Sequence, residues 1–518
     1  MSFPHLFRHA APALALTLLV LAGCASGPDY VRPAFAPPAA YKEAGAWKPA
    51  QPQDADANQP WWTRYGDADL DALVAQANAA SQDIRMAEAQ YRQARAAAQL
   101  ARSGFAPTLG AGVSVGRART QTAAGPATAG SHVLALDAGW ESDIWGRVQR
   151  SVEAGEAAAQ AGAADLAAAR LSIQAELVQD YLQLRITDAQ KELLRQTARE
   201  YGRALALTRS QYRAGVAARA DVALAEAQWQ STNAQAIDLD VQRTQLEHAI
   251  AILTGRPPAE LSIAARPADA LGLTLPEMPA ALPSQLLERR PDIAAAERRA
   301  AAANAGIGVA QSAYFPNLVL SASDGFANAS FSQWSDAPSR TWSLGAALAA
   351  SIFDGGARRA QTDAAVAAYD AAVAHYKRTA LAGLQEVEDA LAALRVLAAE
   401  RTVQDMAVAA ARVAERASLA QYRAGTASYL AVVTAQTLSL ANQRTSVQLL
   451  GRQLVASAAL VKALGGGWDA AELAGHAALP TEIGSRACSQ LIDVCERSRW
   501  PPVQGTSDAV GLFPIRSE

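Results

Sequence analysis

The stretch QYRAG at residues 211–215 returns unchanged at residues 421–425, 210 positions later. Other identical pairs lie 209 positions apart, so one inserted residue separates two otherwise matching frames. The pairs are Asp83 with Asp292, Pro107 with Pro316, Leu109 with Leu318, Val178 with Val387, and Asp180 with Asp389. A long-period repeat of this kind indicates that one structural unit has been used twice.

Long helices are predicted within residues 127–256 and 339–479, because proline is absent from both stretches. These stretches are rich in Ala, Leu, Gln, Arg and Glu, which favour helix. A helix of about 65 residues would be about 100 Å long. Apolar seam positions recur every seven residues, as in coiled coils, at Val366, Val373, Ala380, Val387 and Leu394.

Two β-hairpins are predicted, at about 107–142 and about 316–353, each following the proline that ends a helix. Apolar residues alternate there with glycine and serine, which is typical of membrane barrel strands, although a soluble hairpin with one buried face alternates in the same way. Each repeat is therefore predicted to contain, in order, a helix, a β-hairpin, a long helix, a turn and a second helix. The residues expected to face lipid include Leu134, Leu136, Ala138, Trp140, Leu318, Leu320, Trp342, Leu344 and Leu348.

The N terminus has the pattern of a bacterial lipoprotein signal. A basic start is followed by the apolar run at 13–21, which is too short to span a bilayer, and then by the sequence LAGC at 21–24. We expect a signal peptide at 1–23, acyl chains on Cys24 and an extended, proline-rich tether at 24–60; an ordinary secretory signal with a chance cysteine is the alternative. Ala25 in place of aspartate favours the outer membrane, as in sorted lipoproteins.

Composition argues against several other classes of protein. The net charge of −3 gives no reason to expect a nucleic-acid partner. His248 and His375 have no ligand one helical turn away, and no catalytic constellation is evident, so we expect neither an enzyme nor a cofactor beyond the covalent lipid. After Cys24 no apolar stretch approaches the ~20 residues of a membrane helix, which leaves strands as the expected spanning elements.

Taken together, these features resemble the outer membrane factor family, the TolC-like and NodT-like efflux lipoproteins, over roughly residues 24–468. The motifs that carry the resemblance are GPDY at 27–30, WW at 61–62, RRPDI at 289–293, AYFP at 313–316, the two QYRAG stretches, and KALGGGW at 462–468.

The resemblance implies a mostly α fold with a transmembrane β part. Three copies would form a 12-stranded β-barrel in the outer membrane and an α-helical barrel in the periplasm. The implied function is the exit duct of a tripartite efflux pump, with a periplasmic adaptor and an inner-membrane transporter of the RND type as partners. The adaptor would dock on the two turns at Tyr212, Arg213, Gly215, Tyr422, Arg423 and Gly425.

The resemblance also implies a pore constriction just beyond the second turn, at Tyr422 and Leu430. Relatives often carry an acidic residue where this chain has Thr434, which puts a charged gate ring in doubt. Asp221, after the first turn, is a possible substitute, although a solvated surface charge is the alternative interpretation.

The predicted organisation is a first repeat at 61–256 with its turn near 211–217, a linker at 257–286, a second repeat at 287–468 with its turn near 421–427, and a tail at 469–518. In the tail, Cys488 and Cys495 either pair in an oxidising compartment or remain free thiols. Two other functions compete with the duct: a structural coiled-coil lipoprotein of the cell envelope without transport, and a periplasmic lipoprotein enzyme.

Overall fold

The computed structural model describes residues 26–43, 60–123, 125–266, 288–333, 336–471 and 473. Residues 1–473 belong to one compact unit and 474–518 to another. The second unit lies wholly outside the described residues, as do Cys24 and most of the linker predicted at 257–286.

The first structural repeat contains four helices and a hairpin. After a short 3-10 helix at Trp61–Tyr65, the order is α1 (Ala68–Ala80), α2 (Gln82–Ser103), β1 (Thr108–Thr122), β2 (Gly125–Ser142), α3 (Arg147–Arg213) and α4 (Arg219–Leu253). Asp67 caps α1, because its Oδ1 accepts a hydrogen bond of 3.0 Å from the amide of Asp69.

The second repeat follows the same order from its α2 counterpart onwards; residues 267–287, where a counterpart of α1 would fall, lie outside the described part of the chain. It consists of α5 (Pro291–Ser312), β3 (Asn317–Asn328), β4 (Arg340–Ala349), α6 (Ala357–Arg423) and α7 (Tyr429–Ala463). The long helices α3 and α6 both have 67 residues, and α4 and α7 both have 35. The predictions of a duplicated, mostly helical fold and of helices about 100 Å long are therefore confirmed.

The four strands form one antiparallel sheet in the order β1-β2-β3-β4. One row across the sheet reads Leu109, Ala138, Ala322 and Leu344, and the pairing continues from that row without a bulge. Side chains therefore alternate strictly between the two faces along every strand. β1 and β4 are edge strands, each with one side unpaired.

The main hydrophobic core lies where α1 packs against the middle of α3 and against the ends of α4 and α7. Arg185, on α3, is fully buried inside it. Its guanidinium donates to the carbonyl of Ala264 at 2.7 Å and pairs with Asp69 at 3.2 Å, which ties the segment after α4 to the start of α1. This core fixes the helices between the sheet and the two distant turns.

None of the helices in the described part of the chain is both long enough and apolar enough to cross a membrane.

Candidate functional site

The two QYRAG stretches form turns of nearly identical geometry. Gly215 and Gly425 have φ angles of 75° and 74°, the left-handed region that favours glycine. The amides of Val216 and Thr426 donate to the carbonyls of Gln211 and Gln421 at 2.8 and 2.9 Å, so both helices end in the same way. Each turn returns the chain into an antiparallel partner helix, α3 into α4 and α6 into α7.

The two tyrosines of these motifs lie in different environments. Tyr212 is 47% exposed, whereas Tyr422 is only 7% exposed. The Tyr422 ring packs edge-on against Tyr429, with 5.1 Å between ring centroids, and its hydroxyl lies 3.4 Å from Thr208 Oγ1 on α3. Leu205 also contributes to this cluster, which joins the ends of both helix pairs.

The prediction that Tyr422 offers an exposed docking contact is therefore wrong. Helices α3, α4, α6 and α7 of the same protomer all contribute to the cluster around Tyr422, and its role in narrowing a pore stays a prediction. Burial, together with the neighbouring Tyr422 and Asp221, raises the pKa of Tyr429 in the same cluster to about 12. The Tyr429 hydroxyl therefore stays protonated near neutral pH.

The arginines of the two motifs are exposed. Arg213 and Arg423 are the last residues of α3 and α6, and neither has an ion-pair partner among the residues that the structure describes. Val216, 76% exposed, lies beside the first of them. Each turn therefore presents a free guanidinium next to small and apolar groups.

Leu430 and Thr434, the other candidates for the constriction, lie one helical turn apart on the same exposed face of α7. Leu430 is 58% exposed, and the Thr434 hydroxyl donates to the Leu430 carbonyl at 2.9 Å. Asp221 lies at the start of α4, where its Oδ2 accepts a hydrogen bond of 3.1 Å from the amide of Ala218, and it is near enough to Tyr429 to affect the pKa of that hydroxyl. Helix capping accounts for this carboxylate, and its role as a substitute gate acid stays a prediction.

At the other end of the molecule, the apolar face of the sheet is exposed. Leu109, Leu344 and Leu348 are 75%, 77% and 67% exposed. The opposite face carries mainly small residues, such as Ser321, Ser343 and Gly345. Apolar side chains left this open are typical of a surface that contacts lipid or another protein.

The segment that follows Cys24 is held firmly against the helices. Arg150, with a side chain only 6% exposed, donates to the Ser26 carbonyl at 3.0 Å and pairs with Asp29 at 2.8 Å. Gly27 has φ +92° and lies so close to Gly308 that a Cβ atom would come within 2.4 Å of the Gly308 Cα. The GPDY motif therefore forms a fitted contact between the start of α3 and the helix α5.

Neither this role of the GPDY motif nor the contribution of Arg150 was predicted from the sequence. A usable signal was the glycine at 308 inside an otherwise alanine-rich helix, since such a glycine often marks a close backbone approach. Further along, the Tyr30 hydroxyl donates to Glu297 at 2.6 Å, and burial next to this carboxylate raises the pKa of Tyr30. Within the described residues, no cluster of His, Cys, Asp or Glu has the geometry to hold a metal ion.

Comparison with known proteins shows the same duplicated arrangement. The model of the outer membrane efflux protein family matches residues 73–256 and again residues 282–466. The chain is 32% identical to the pyoverdine export outer membrane protein OpmQ of Pseudomonas aeruginosa over 467 residues, covering 88% of this chain and 97% of that protein. It is 33% identical to the outer membrane protein OprJ of the same species, covering 88% and 95%.

Among solved structures, that of the outer-membrane channel OprN superposes with a TM-score of 0.81 at 31% identity, covering 86% of this chain and all of that one. The family model covers most of both repeats. This chain is a member of the outer membrane efflux protein family.

Proposed function

We propose that three copies of this chain form the exit duct of a tripartite efflux pump, which receives cargo from a periplasmic adaptor and an RND-type inner-membrane transporter. Membership of the family makes the protein an outer-membrane efflux channel. The number of copies, the kind of transporter and the roles of individual residues are the parts that we add. We assign the chain no catalytic step, because proteins of this family are channels.

The observation that carries the proposal is the four-stranded sheet with two unpaired edges and an exposed apolar face. In lipid, unpaired backbone N–H and C=O groups at a strand edge cost several kcal/mol each, so an open sheet is not stable in a membrane. Four strands are also too few to close on themselves. Pairing β1 of one copy with β4 of the next removes both edges, and three copies give the twelve-stranded closure that the family resemblance implies.

The turns are the proposed adaptor-docking surface. Because α3 and α6 are equally long, both turns lie at about the same distance from the sheet, and three copies would present six of them. Arg213 and Arg423 provide unpaired guanidinium groups there, which suit carboxylates or backbone carbonyls on the adaptor.

The lipid anchor is the third element of the proposal. Ser26 accepts a hydrogen bond at its carbonyl from Arg150 and donates from its amide to the carbonyl of Trp145, 3.1 Å away, at the junction of β2 and α3. Cys24 is only two residues upstream, so acyl chains attached to it would start within about 7 Å of this junction. The anchor and the sheet would then enter the same leaflet. Replacing Cys24 with Ser should abolish incorporation of labelled palmitate, and persistent labelling would show that another residue carries the lipid.

The test of the assembly is chemical crosslinking of outer membranes, followed by gel migration with and without heating. We expect a heat-sensitive trimer that conducts ions in planar bilayers. A protein that is monomeric in the membrane and forms no conducting channel would contradict the proposal and would favour the structural lipoprotein.

The test of docking is charge reversal at Arg213 and Arg423, with Arg203→Glu as the matched control. Arg203 lies on α3 ten residues before the first turn, and its side chain is 74% exposed. We expect Arg213→Glu and Arg423→Glu to weaken capture of the purified adaptor and the control to leave it unchanged. Equal capture by all three variants would move the docking surface away from the turns.

A further inference from the structure

The apolar face of the sheet ends in arginines. Because pairing is regular throughout, Arg117 and Arg119 on β1 share the face of Leu109, Val113 and Val115. Arg340, the first residue of β4, lies on the same face, in a row with Phe326, Leu134 and Val113. Three cationic side chains are therefore placed on the face that the proposed function turns towards lipid.

These arginines lie at a similar height in the sheet, measured from the strand ends that are nearest to the helices. Arg117 is nine residues from Thr108, where β1 begins, and Arg340 is nine residues from Ala349, where β4 ends. Nine residues correspond to about 30 Å along a strand and, at a tilt of ~40°, to about 23 Å across a membrane. That height matches the apolar band of a membrane barrel, which is about 25 Å tall.

Tryptophans mark the two borders of the band. Trp140 lies two residues from the helix-side end of β2, and Trp342 lies two residues below Arg340 on β4. Aromatic girdles of this kind occur at both membrane interfaces. The arginines therefore come just beyond the upper aromatic border, at the depth of the headgroups in the leaflet far from the helices.

The charge on this face is unbalanced. Asp324 is the only carboxylate that the described strands place there, and it pairs with Arg340 at 3.1 Å. Arg117 and Arg119 have no ion-pair partner among the described residues, and both are exposed. An arginine at this depth can lay its aliphatic stem along the apolar surface while its guanidinium reaches the headgroups.

We propose that Arg117, Arg119 and Arg340 form a cationic girdle that binds the phosphate groups of phosphorylated lipids in the outer leaflet. The planar guanidinium forms paired hydrogen bonds to phosphate oxygens, which a neutral headgroup cannot replace. Acyl chains of the same lipid would cover Val113, Val115 and Leu134 below. The inference rests on the proposed function, since it requires that this face contacts lipid.

The experiment uses the purified full-length trimer in detergent micelles and two probes: lipid A carrying both phosphates, and the same lipid after both phosphates are removed. Native mass spectrometry measures how much of each lipid the protein retains over a titration. We expect the phosphorylated lipid to bind more tightly to the unmodified protein. The Arg117→Gln/Arg119→Gln variant should bind it roughly 25-fold more weakly, at about fivefold for each arginine near a charged surface.

A matched control is Arg195→Gln/Arg203→Gln, which removes two exposed arginines from α3, far from the sheet. It should bind like the unmodified protein. Arg117→Lys/Arg119→Lys keeps the charge but loses the planar guanidinium. Its affinity for the phosphorylated lipid should therefore fall between that of the unmodified protein and that of the glutamine pair. Heat-sensitive gel migration establishes that each variant is assembled, and the lysine pair supplies the comparison if the glutamine pair does not assemble.

The outcomes separate this inference from the proposed function. If the unmodified protein retains both lipids equally, or if the glutamine pair binds phosphorylated lipid as well as the control does, the girdle does not recognise phosphate and the inference is wrong. If the protein retains neither lipid, the apolar face itself does not contact lipid, and the proposed membrane sheet is wrong as well.

Discussion

Tyr422 and Tyr212 allow one substitution to be compared in two copies of the same motif. Replacing either with alanine removes the same atoms from the sequence QYRAG, but Tyr422 is 7% exposed and Tyr212 is 47% exposed. The exposed fractions differ by about two fifths. Applied to about 200 Å² of tyrosine surface, this means that Tyr422 buries about 80 Å² more than Tyr212, which is worth about 2 kcal/mol at 25 cal/mol per Å². The edge-on contact with Tyr429 adds about 1 kcal/mol for Tyr422 alone.

We therefore expect Tyr422→Ala to destabilise the joined ends of the helix pairs by about 3 kcal/mol more than Tyr212→Ala. Hydrogen–deuterium exchange of peptides from the ends of α3 and α6 measures this directly, since about 3 kcal/mol corresponds to more than a hundredfold in the local opening equilibrium. Cells that carry the Tyr422 variant should also become more susceptible to a large antibiotic such as vancomycin, because the loosened end admits it.

Tyr422→Phe is the control for the hydroxyl. The Thr208 hydroxyl keeps its hydrogen bond to the Ala204 carbonyl at 3.0 Å, so loss of the long contact from Tyr422 should cost under about 1 kcal/mol. Equal exchange in the two alanine variants would refute the reasoning, because it would show that the cluster around Tyr429 does not hold the two helix pairs together.

Three further predictions address the sheet, the second turn and a partly buried carboxyl. Leu344→Arg places a charge near the middle of the apolar band and should cost about 2–4 kcal/mol, whereas Ser343→Arg on the opposite face should cost less; the yield of heat-sensitive trimer compares them. Gly425→Val should impair efflux without preventing assembly, because φ is 74° there while no atom lies within 4 Å of the added Cβ, so the strain of about 1–2 kcal/mol stays in the turn. Burial, together with Glu176, raises the pKa of Asp180 to about 6. The folded state therefore binds this proton more tightly than the unfolded state, and thermal stability should fall as pH rises from about 4 to about 6; Asp180→Asn should flatten that dependence.

The duplication and the lengths of the elements could be predicted because they depend on local, repeated signals. Each of these signals lies within a short stretch of sequence: the two QYRAG stretches, the proline at the end of each preceding helix, and the alternation in the strands. The two long helices have 67 residues each, close to the length of about 65 considered from the sequence. The family resemblance then supplied the function, which the comparisons support.

The environments of Tyr212 and Tyr422 could not be predicted in the same way. Their neighbours in sequence are identical, and the difference comes from residues at other places in the chain. Tyr429 follows the second turn, where the first turn has Arg219, and Thr208 reaches Tyr422 from 214 residues away. Sequence alone cannot reveal which copy of a motif is enclosed, because enclosure depends on how the two repeats pack against each other.

The contact made by residues 26–43 has a consequence for the order of folding. These residues leave the ribosome early, yet Tyr30 bonds to Glu297, 267 residues later, and the amide of Lys42 bonds to Glu388, 346 residues later. Such distant partners close slowly, because a long loop must first be ordered. Residues 26–43 therefore cannot complete these contacts until α5 and α6 have formed. If Cys24 carries the lipid that we propose, its processing enzymes would act during that interval, before the folded protein competes for this segment.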